Sequence, residues 1–255
     1  MLKRIDATLT VSKGSFKRTK NFKPDYIFSS KHLDLNFFDE ITLLCIDKAK
    51  ADNEYFDFLE EKANNCFLPI TASGRIRNLS DAKRLFDSGV DRVIVNSLLW
   101  EDKNETLEEI SNVYGSQSLV ASIDVIKEDN QFKSYDWINE SARQTLIPEI
   151  IKNRPDLFGE IKIQAVDRDG GVVGPNILAI EEINNNVNSP IPLSYGSGLT
   201  SWNHYKTCLK KTYLKCVSAT NVHHMSTTAS KSLKEFCIRN GINLRMPEDN
   251  QYFNN

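Results

Sequence analysis

The stretch "NLSDAKRLFDSGVDRVIV" (78–95) places an amphipathic helix, a glycine stop and a β-strand in immediate succession. Its first half spaces apolar residues three and four positions apart, and asparagine and glycine stand where a helix would begin and end. Its second half runs into "RVIVNS" (92–97), a β-branched segment of strand length. This unit predicts a helix that returns the chain to the start of a parallel strand.

The same alternation extends through all 255 residues. Helical patterns occupy 54–65, 78–89, 104–115 and 230–241, with glycine or asparagine at their ends. Eight such strands separated by helical segments predict a single-domain (β/α)8 TIM barrel over residues 1–255, with a doubly wound open sheet as the alternative. The segment "SSKHLDLNFFDE" (29–40) leaves room for only a shortened first helix. The predicted strands cover 4–11, 41–47, 67–73, 92–97, 119–125, 160–166, 190–195 and 213–219.

Composition limits the classes of partner. The formal net charge is -2 and the isoelectric point is about 6.1, without the basic excess of a duplex nucleic-acid binder. The start "MLKRIDATLTV" has no apolar signal region, and runs such as "ITLLCI" are too short to span a bilayer. We therefore expect a soluble cytoplasmic protein that binds neither membrane nor nucleic acid.

The cysteines and histidines predict no disulfide framework, metal site or cofactor. The five cysteines are an odd number, and no two of them form a C-x-x-C pair. The adjacent pair His223 and His224 cannot share one face of a helix or strand, which disfavours a metal site. We expect reduced and mostly buried thiols at Cys45, Cys66, Cys208, Cys216 and Cys237.

Glycines and small polar residues follow several of the predicted strands. In a barrel of this type the functional site lies at the carboxyl ends of the strands, where backbone N–H groups can surround an oxyanion. The repeated pattern predicts two phosphate sites on opposite sides of the barrel, although each glycine alone is explained by strand termination. One site comprises Gly74, Asn96 and Ser97, near Arg75; the other comprises Gly170, Gly171, Gly196, Thr220 and Asn221.

Two carboxylates also lie at predicted strand ends. Asp124 closes "SID" and Asp169 lies in "VDRDGG". A carboxylate at the barrel rim can act as a general acid or base, and it can equally cap a helix or pair with an arginine. The residues alone leave these readings open.

These strand ends resemble those of the HisF family, the cyclase subunits of imidazole glycerol phosphate synthase. The resemblance runs nearly end to end, and "VDRDG" after "GEI" is its most specific part. It implies a (β/α)8 lyase that binds a substrate with a phosphate at each end and uses ammonia from a HisH glutaminase. The fragments are "KRIDATL" (3–9), "FDEITLLCID" (38–47), "GVDRVIVNS" (89–97), "YGSQSLVASID" (114–124), "GEIKIQAVDRDGGVVG" (159–174), "GSGL" (196–199) and "LKEFCIRNGINLR" (233–245).

The resemblance fails at one catalytic position. Family members use two aspartates as general acid and base, of which Asp124 matches the second, while Thr10 stands at the position of the first. A threonine hydroxyl cannot exchange protons near neutral pH as a carboxylate does. Arg75 and Tyr195 also replace glycines of the phosphate sites, so the rim is expected to serve another chemistry.

The base of the barrel resembles the family more closely. Arg4, Glu40, Arg92 and Glu160 match a ring of four charged residues that gates ammonia in the family. Asp91 matches the aspartate that docks the glutaminase. The resemblance therefore implies an ammonia gate with a partner glutaminase, and a purely structural plug of paired charges is the alternative.

This mixture resembles a HisF-like second-copy branch associated with surface-polysaccharide biosynthesis. That branch implies a HisH-like glutaminase partner and a sugar amidotransferase that converts an N-acetyl sugar into its acetamidino form. Two other hypotheses remain: a true cyclase of histidine biosynthesis, and a phosphate-binding barrel without a glutaminase. Thr10 disfavours the first, and the charged ring with Asp91 disfavours the second.

Overall fold

The computed structural model describes residues 2–29, 35–48, 51–101, 103–187, 190–211, 213–219 and 229–246. Eight parallel strands form a closed barrel, because β10 pairs with both β7 and β11 and thereby joins the ends of the sheet. The prediction of a (β/α)8 barrel is confirmed. In chain order these strands are β1 (Arg4–Ser12), β4 (Glu40–Cys45), β5 (Ile70–Ser73), β6 (Arg92–Val95), β7 (Leu119–Glu128), β10 (Glu160–Ala165), β11 (Leu193–Gly196) and β12 (Leu214–Ser218).

Helices connect these strands on the outside of the barrel. Asp52 and Asn78 cap the first two, each accepting a hydrogen bond from the backbone N–H three residues later. Within the described residues, no helix is both long and apolar enough to cross a membrane. The helices are α1 (Asn53–Asn64), α2 (Leu79–Asp87), α3 (Asn104–Tyr114), α4 (Glu149–Asn153), α5 (Ile177–Asn186), α6 (Trp202–Leu209) and α7 (Ala229–Arg239).

Two antiparallel extensions rise from the barrel, and neither was predicted. After β1 the chain forms a hairpin of β2 (Ser15–Lys20) and β3 (Lys23–Ile27), followed by a 3-10 turn at Leu35–Phe37. No α-helix lies in the described part of this first connection; residues 30–34 of the predicted short helix fall outside it. The second extension continues β7 into β8 (Gln131–Asp136) and β9 (Ser141–Ala142).

The side chains of β1 show how the barrel separates its two layers. Ile5, Ala7, Leu9 and Val11 belong to the apolar core that the strands share with the helices. The intervening residues of the strand are polar and face the lumen of the barrel, where alternate residues of a strand must point. The side of the lumen formed by β1 is therefore polar from its base to its rim.

Candidate functional site

A cavity opens at the carboxyl ends of the barrel strands, where the two antiparallel extensions rise beside it. Its walls carry cationic side chains, two carboxylates and several small polar residues. This composition suits a small anionic ligand. The lining includes Thr8, Thr10, Lys17, Arg18, Arg75, Arg77, Asn96, Ser97, Asp124, Trp137, Gln164, Asp169, Gly170, Gly171, Gly196 and Ser218.

Asp124 lies buried at the inner wall of this cavity, with 4 % of its surface exposed. Its carboxyl accepts hydrogen bonds from the Asn96 amide at 3.2 Å, the Ser122 hydroxyl at 3.2 Å and the Gln164 amide at 3.5 Å. Burial raises the pKa of Asp124 to about 7, although the Ser122 and Gln164 hydrogen bonds oppose the shift. The group can therefore donate or accept a proton near neutral pH.

Thr10, at the same rim, is engaged by the backbone of the first hairpin. Its hydroxyl donates to the carbonyl oxygen of Lys17, so the side chain ties β1 to β2. Asp169 is the other carboxylate among the residues that line the cavity. No described carboxylate of β1 accompanies Asp124 at the rim.

Asp169 holds the tip of the same hairpin. Its carboxylate accepts from the Phe22 N–H at 3.0 Å, and its carbonyl accepts from the Asn21 N–H at 3.1 Å. Burial raises the pKa of Asp169, although the Phe22 hydrogen bond to its carboxylate opposes the shift. The neighbouring Gly170 has a φ of 67°, and a Cβ there would collide with the Thr19 carbonyl. The hairpin therefore lies directly over the end of β10.

Only some residues of the two predicted phosphate sites line the cavity. Gly170, Gly171 and Gly196 line it, whereas Thr220 and Asn221 lie outside the described residues. On the other side Asn96 and Ser97 line it. Gly74 does not belong to the lining, and a Cβ added to it would contact Leu85 of α2 at 3.1 Å.

Arg75 brings a cation to the cavity beside Gly74. Its guanidinium lies 5.5 Å from the ring centroid of Trp137, a residue of the unpredicted second extension. The Nη1 atom is buried and has no hydrogen-bond partner among the described residues. Burial and the neighbouring Arg77 lower the pKa of Arg75. The sequence placed Arg75 near a phosphate site but offered no signal for Trp137.

The four predicted gate residues form a closed ring at the base of the barrel. Arg4 pairs with Glu160 and, at 2.8 Å, with Glu40, while Arg92 pairs with the same two carboxylates at 3.2 and 2.5 Å. Arg92 also donates to the Thr71 hydroxyl at 3.0 Å. Burial disfavours the Glu160 carboxylate, but Arg4 and Arg92 outweigh it and lower the pKa of Glu160. Alternating charges thus span the lumen.

Asp91 lies at the outer edge of this base. One oxygen of its carboxylate accepts from the Ile70 N–H at 2.7 Å, and the residue is exposed. The Ile70 N–H thus positions one carboxylate oxygen, and the exposed carboxylate can accept a further hydrogen bond.

One cluster among the described residues has the donors of a metal site. The ligand atoms of Asp6, Glu40 and Cys216 lie within 4.8 Å of one another, all buried. Lysine and arginine side chains already neutralise both carboxylates. The Cys216 thiol donates to Glu40 at 3.1 Å, and burial raises its pKa well above the usual range. This cluster fits an ion-pair network better than a metal ion.

Comparisons with known proteins agree with this architecture. The sequence matches the family described as "Histidine biosynthesis protein" over residues 5–228. The chain belongs to the histidine biosynthesis protein family. A Parasynechococcus marenigrum relative is 36% identical over 206 residues, covering 77% of this chain and 76% of the relative. A Campylobacter jejuni relative is 29% identical over 215 residues, covering 82% of each. Both carry the name "Putative imidazole glycerol phosphate synthase subunit hisF2".

The chain is also similar to a protein named HisF rather than hisF2. The "Imidazole glycerol phosphate synthase subunit HisF" of Sulfurisphaera tokodaii is 29% identical over 253 residues, covering 96% of this chain and 99% of that protein. The chain is thus a HisF-like family member, as the sequence fragments indicated.

The structure also brings together polar residues that the sequence analysis missed. Lys162 and Gln164 belong to β10, which reads as an alternating strand, and both turn inward. Lys162 bonds to Asp6 of β1 at 2.7 Å. Their period-2 spacing from Glu160 was the available signal, because every second residue of a barrel strand faces the lumen.

Proposed function

We propose that this protein docks a HisH-like glutaminase at the base of its barrel and conducts ammonia through the lumen to an acceptor enzyme. The acceptor is a sugar amidotransferase acting on an N-acetyl sugar of a surface polysaccharide. The barrel supplies the conduit, and its rim cavity binds a phosphorylated ligand. The protein itself then performs little chemistry.

The closed ring of Arg4, Glu40, Arg92 and Glu160 is the observation that carries this proposal. A barrel base that only needed closing could be filled with apolar side chains, which often stabilise a fold as well as or better than buried ion pairs do. Four paired charges instead form a barrier whose members can exchange partners. Asp91 beside this ring is exposed and is positioned by the Ile70 N–H, which suits a contact with a cationic side chain of a partner.

The rim supports a conduit more than a cyclase. A cyclase of the HisF type needs two proton-transferring groups, and Thr10 is bonded to the Lys17 carbonyl where the first would stand. Asp169 is the other carboxylate in the cavity lining, and it is occupied in holding the hairpin. Asp124, whose pKa is about 7, is left as the cavity-lining carboxylate that can exchange a proton.

Replacing Arg92 by alanine tests the conduit. Arg4 still contacts both Glu40 and Glu160 in this variant, so we expect the fold to persist while the ring stays open. With the glutaminase and amidotransferase of the same genome, glutamine hydrolysis should continue while amidinated product per glutamine falls. Added ammonium salt should restore product by entering from the rim. Thermal stability, partner affinity and the ratio of product to glutamine consumed are the measurements.

Two matched variants make this test decisive. Arg92→Lys keeps the charge and should retain coupling, whereas Asp91→Ala should weaken glutaminase binding without opening the ring. Losing the Arg92 ion pairs should cost up to about 3 to 5 kcal/mol of stability whether or not the ring conducts ammonia, so the ratio of product to glutamine separates a gate from a structural plug. A strongly destabilised Arg92→Ala with unchanged coupling would refute the conduit.

The alternative function is that of a cyclase subunit, making imidazole glycerol phosphate and aminoimidazole carboxamide ribonucleotide from the ribulosyl bisphosphate precursor and ammonia. Asp124 favours it, because a carboxyl with a pKa of about 7 is suited to general acid–base catalysis. This reading requires a substitute for the carboxylate missing at Thr10. The cyclase assay described in the Discussion separates the two functions.

A further inference from the structure

The side chain of Lys162 crosses the barrel lumen. Its ammonium nitrogen lies 2.7 Å from Asp6 Oδ2, 3.1 Å from Thr8 Oγ1, 3.2 Å from Thr42 Oγ1 and 3.4 Å from Ser218 Oγ. These acceptors belong to β1, β4 and β12, whereas Lys162 belongs to β10, and β11 separates β10 from β12 in the sheet. A single side chain thus connects strands on different sides of the lumen.

The partner of this ammonium is held firmly. The hydroxyls of Thr8 and Thr42 donate to Asp6 Oδ2 at 2.9 and 2.8 Å. Asp6 is fully buried and Lys162 is 3 % exposed. Burial alone would lower the pKa of Lys162, but the Asp6 carboxylate outweighs it and raises that pKa. The lysine is therefore charged and bonded on several sides.

This pair lies between the base ring and the rim cavity. Asp6 follows Arg4 by two residues on β1, and Lys162 follows Glu160 by two residues on β10, which places the pair about 5 to 7 Å further along the lumen. Thr8 lines the rim cavity and also contacts the Lys162 ammonium. The ammonium therefore lies directly beneath the floor of the cavity.

We propose that Lys162 and Asp6 close the barrel lumen one layer above the charged ring, as a second barrier between the base and the rim cavity. The bonded lysine side chain fills the passage, and the pair offers no binding site to a cation, because Lys162 already neutralises Asp6. Water and small solutes reach the ring from the rim only when Lys162 leaves its acceptors.

This closure is a property of the barrel whether or not it conducts ammonia. Its use as a gate rests on the proposed conduit: ammonia that has passed the ring would still have to displace the Lys162 side chain. The neutral molecule can do so by entering among the hydroxyls of Thr8, Thr42 and Ser218, while ammonium would lose its hydration beside a carboxylate that Lys162 already neutralises. The charged ring and the Asp6–Lys162 pair together would prevent solvent ions from passing from the rim cavity through the lumen to the glutaminase.

Cys216 provides a natural reporter beneath the closure. It pairs in register with Arg4, its thiol contacts Glu40, and it is fully buried. A reagent arriving from the rim must pass Lys162 to reach it. Cys208 and Cys237 lie on α6 and α7, outside the lumen, and serve as internal controls.

Two double variants that both lack the Asp6 and Lys162 charges separate the effect of filling the lumen from the effect of those charges. Asp6→Asn keeps an oxygen for the Thr8 and Thr42 hydroxyls, and it is combined either with Lys162→Ala, which empties the lumen, or with Lys162→Met, which keeps it filled. Both proteins and the wild type are treated with methyl methanethiosulfonate, a small neutral reagent. Peptide mass spectrometry then measures the rate of modification of each cysteine.

We expect Cys216 to react at least about tenfold faster in the alanine variant than in the methionine variant or the wild type, because thiol reactivity follows access as well as thiolate content. Cys208 and Cys237 should react equally in all three proteins. Equal Cys216 rates in the two variants, or a wild type as reactive as the alanine variant, would overturn the closure.

A measurement on the wild type decides the matter if the alanine variant does not fold. In protein labelled with 15N-lysine, the Lys162 ammonium should give an NMR signal that the methionine variant lacks, with hydrogen exchange at least about tenfold slower than that of surface lysines. Lys234, buried and bonded to Asp39 at 2.7 Å, is the positive control. Exchange of Lys162 at the rate of a surface lysine would mean an open, wet lumen. Neither experiment needs a glutaminase, so failure of partner docking would refute the conduit and leave the closure tested independently.

Discussion

Replacing Asp124 by asparagine should change how the stability of the protein depends on pH. The carboxyl has a pKa of about 7 in the folded state against a usual value of 3.8, with burial as the main cause. The folded protein therefore binds this proton more tightly than the unfolded chain does. This tighter proton binding stabilises the folded protein fully below about pH 4, and the stabilisation is lost as the pH rises to about 7.

The magnitude follows from the size of the pKa shift. A pKa shift of about 3 units at 1.36 kcal/mol per unit corresponds to about 4 kcal/mol of stabilisation. The wild-type protein loses about 3 kcal/mol of it between pH 5 and pH 9. Asparagine has no proton to lose, so the variant does not lose this stability. Its free energy of unfolding should rise relative to wild type by about 3 kcal/mol over that range and level off above the pKa.

Urea unfolding of both proteins at a series of pH values measures this difference. Comparing the same pair of proteins at each pH cancels any constant cost of the substitution, such as an altered hydrogen bond from Asn96 or Ser122. Ser122→Ala is a suitable second variant, because losing a hydrogen bond to the charged form should raise the pKa of Asp124 further. A stability difference that stays flat with pH, or that falls as the pH rises, would refute a buried carboxyl that titrates near neutrality.

Two further outcomes test the rim. The protein is first assayed with ammonium salt and the ribulosyl bisphosphate precursor. Substrate absorbance should disappear at no more than about one hundredth of the rate of an ordinary HisF, because Thr10 cannot transfer a proton. Turnover within about tenfold of the ordinary HisF rate would restore the cyclase hypothesis. Gly170→Ala should cost about 1 kcal/mol or more and speed proteolysis of the first hairpin, because its φ of 67° and the nearby Thr19 carbonyl exclude a Cβ. Gly171→Ala is the matched control, since the nearest contact of its Cβ would be an ordinary 3.4 Å. Equal proteolysis of the two variants would contradict the packing of the hairpin against Gly170.

Sequence alone was sufficient for the barrel and for the positions of several polar residues at its rim. Alternation of strand and helix is encoded locally, by spacing of apolar residues and by glycine or asparagine stops, so all eight strands could be located within a few residues. Asp124 could be assigned to the rim because it closes a strand, and in a parallel barrel every such strand end lies on the same face. The base ring required the resemblance to a family in addition, because no local pattern distinguishes Arg4 or Glu160 from other charged strand residues.

Only the tertiary structure decided what those residues contact. The hairpin over the rim could have been suspected from the Lys13–Gly14 turn, but its docking on Asp169 and Gly170 joins residues about 150 positions apart, which no local pattern records. The pKa of Asp124 comes from its burial, a property of the assembled barrel. The Asp6–Lys162 pair was hidden for the same reason: each residue has an ordinary place in its own strand, and only closure of the barrel brings the two buried charges together.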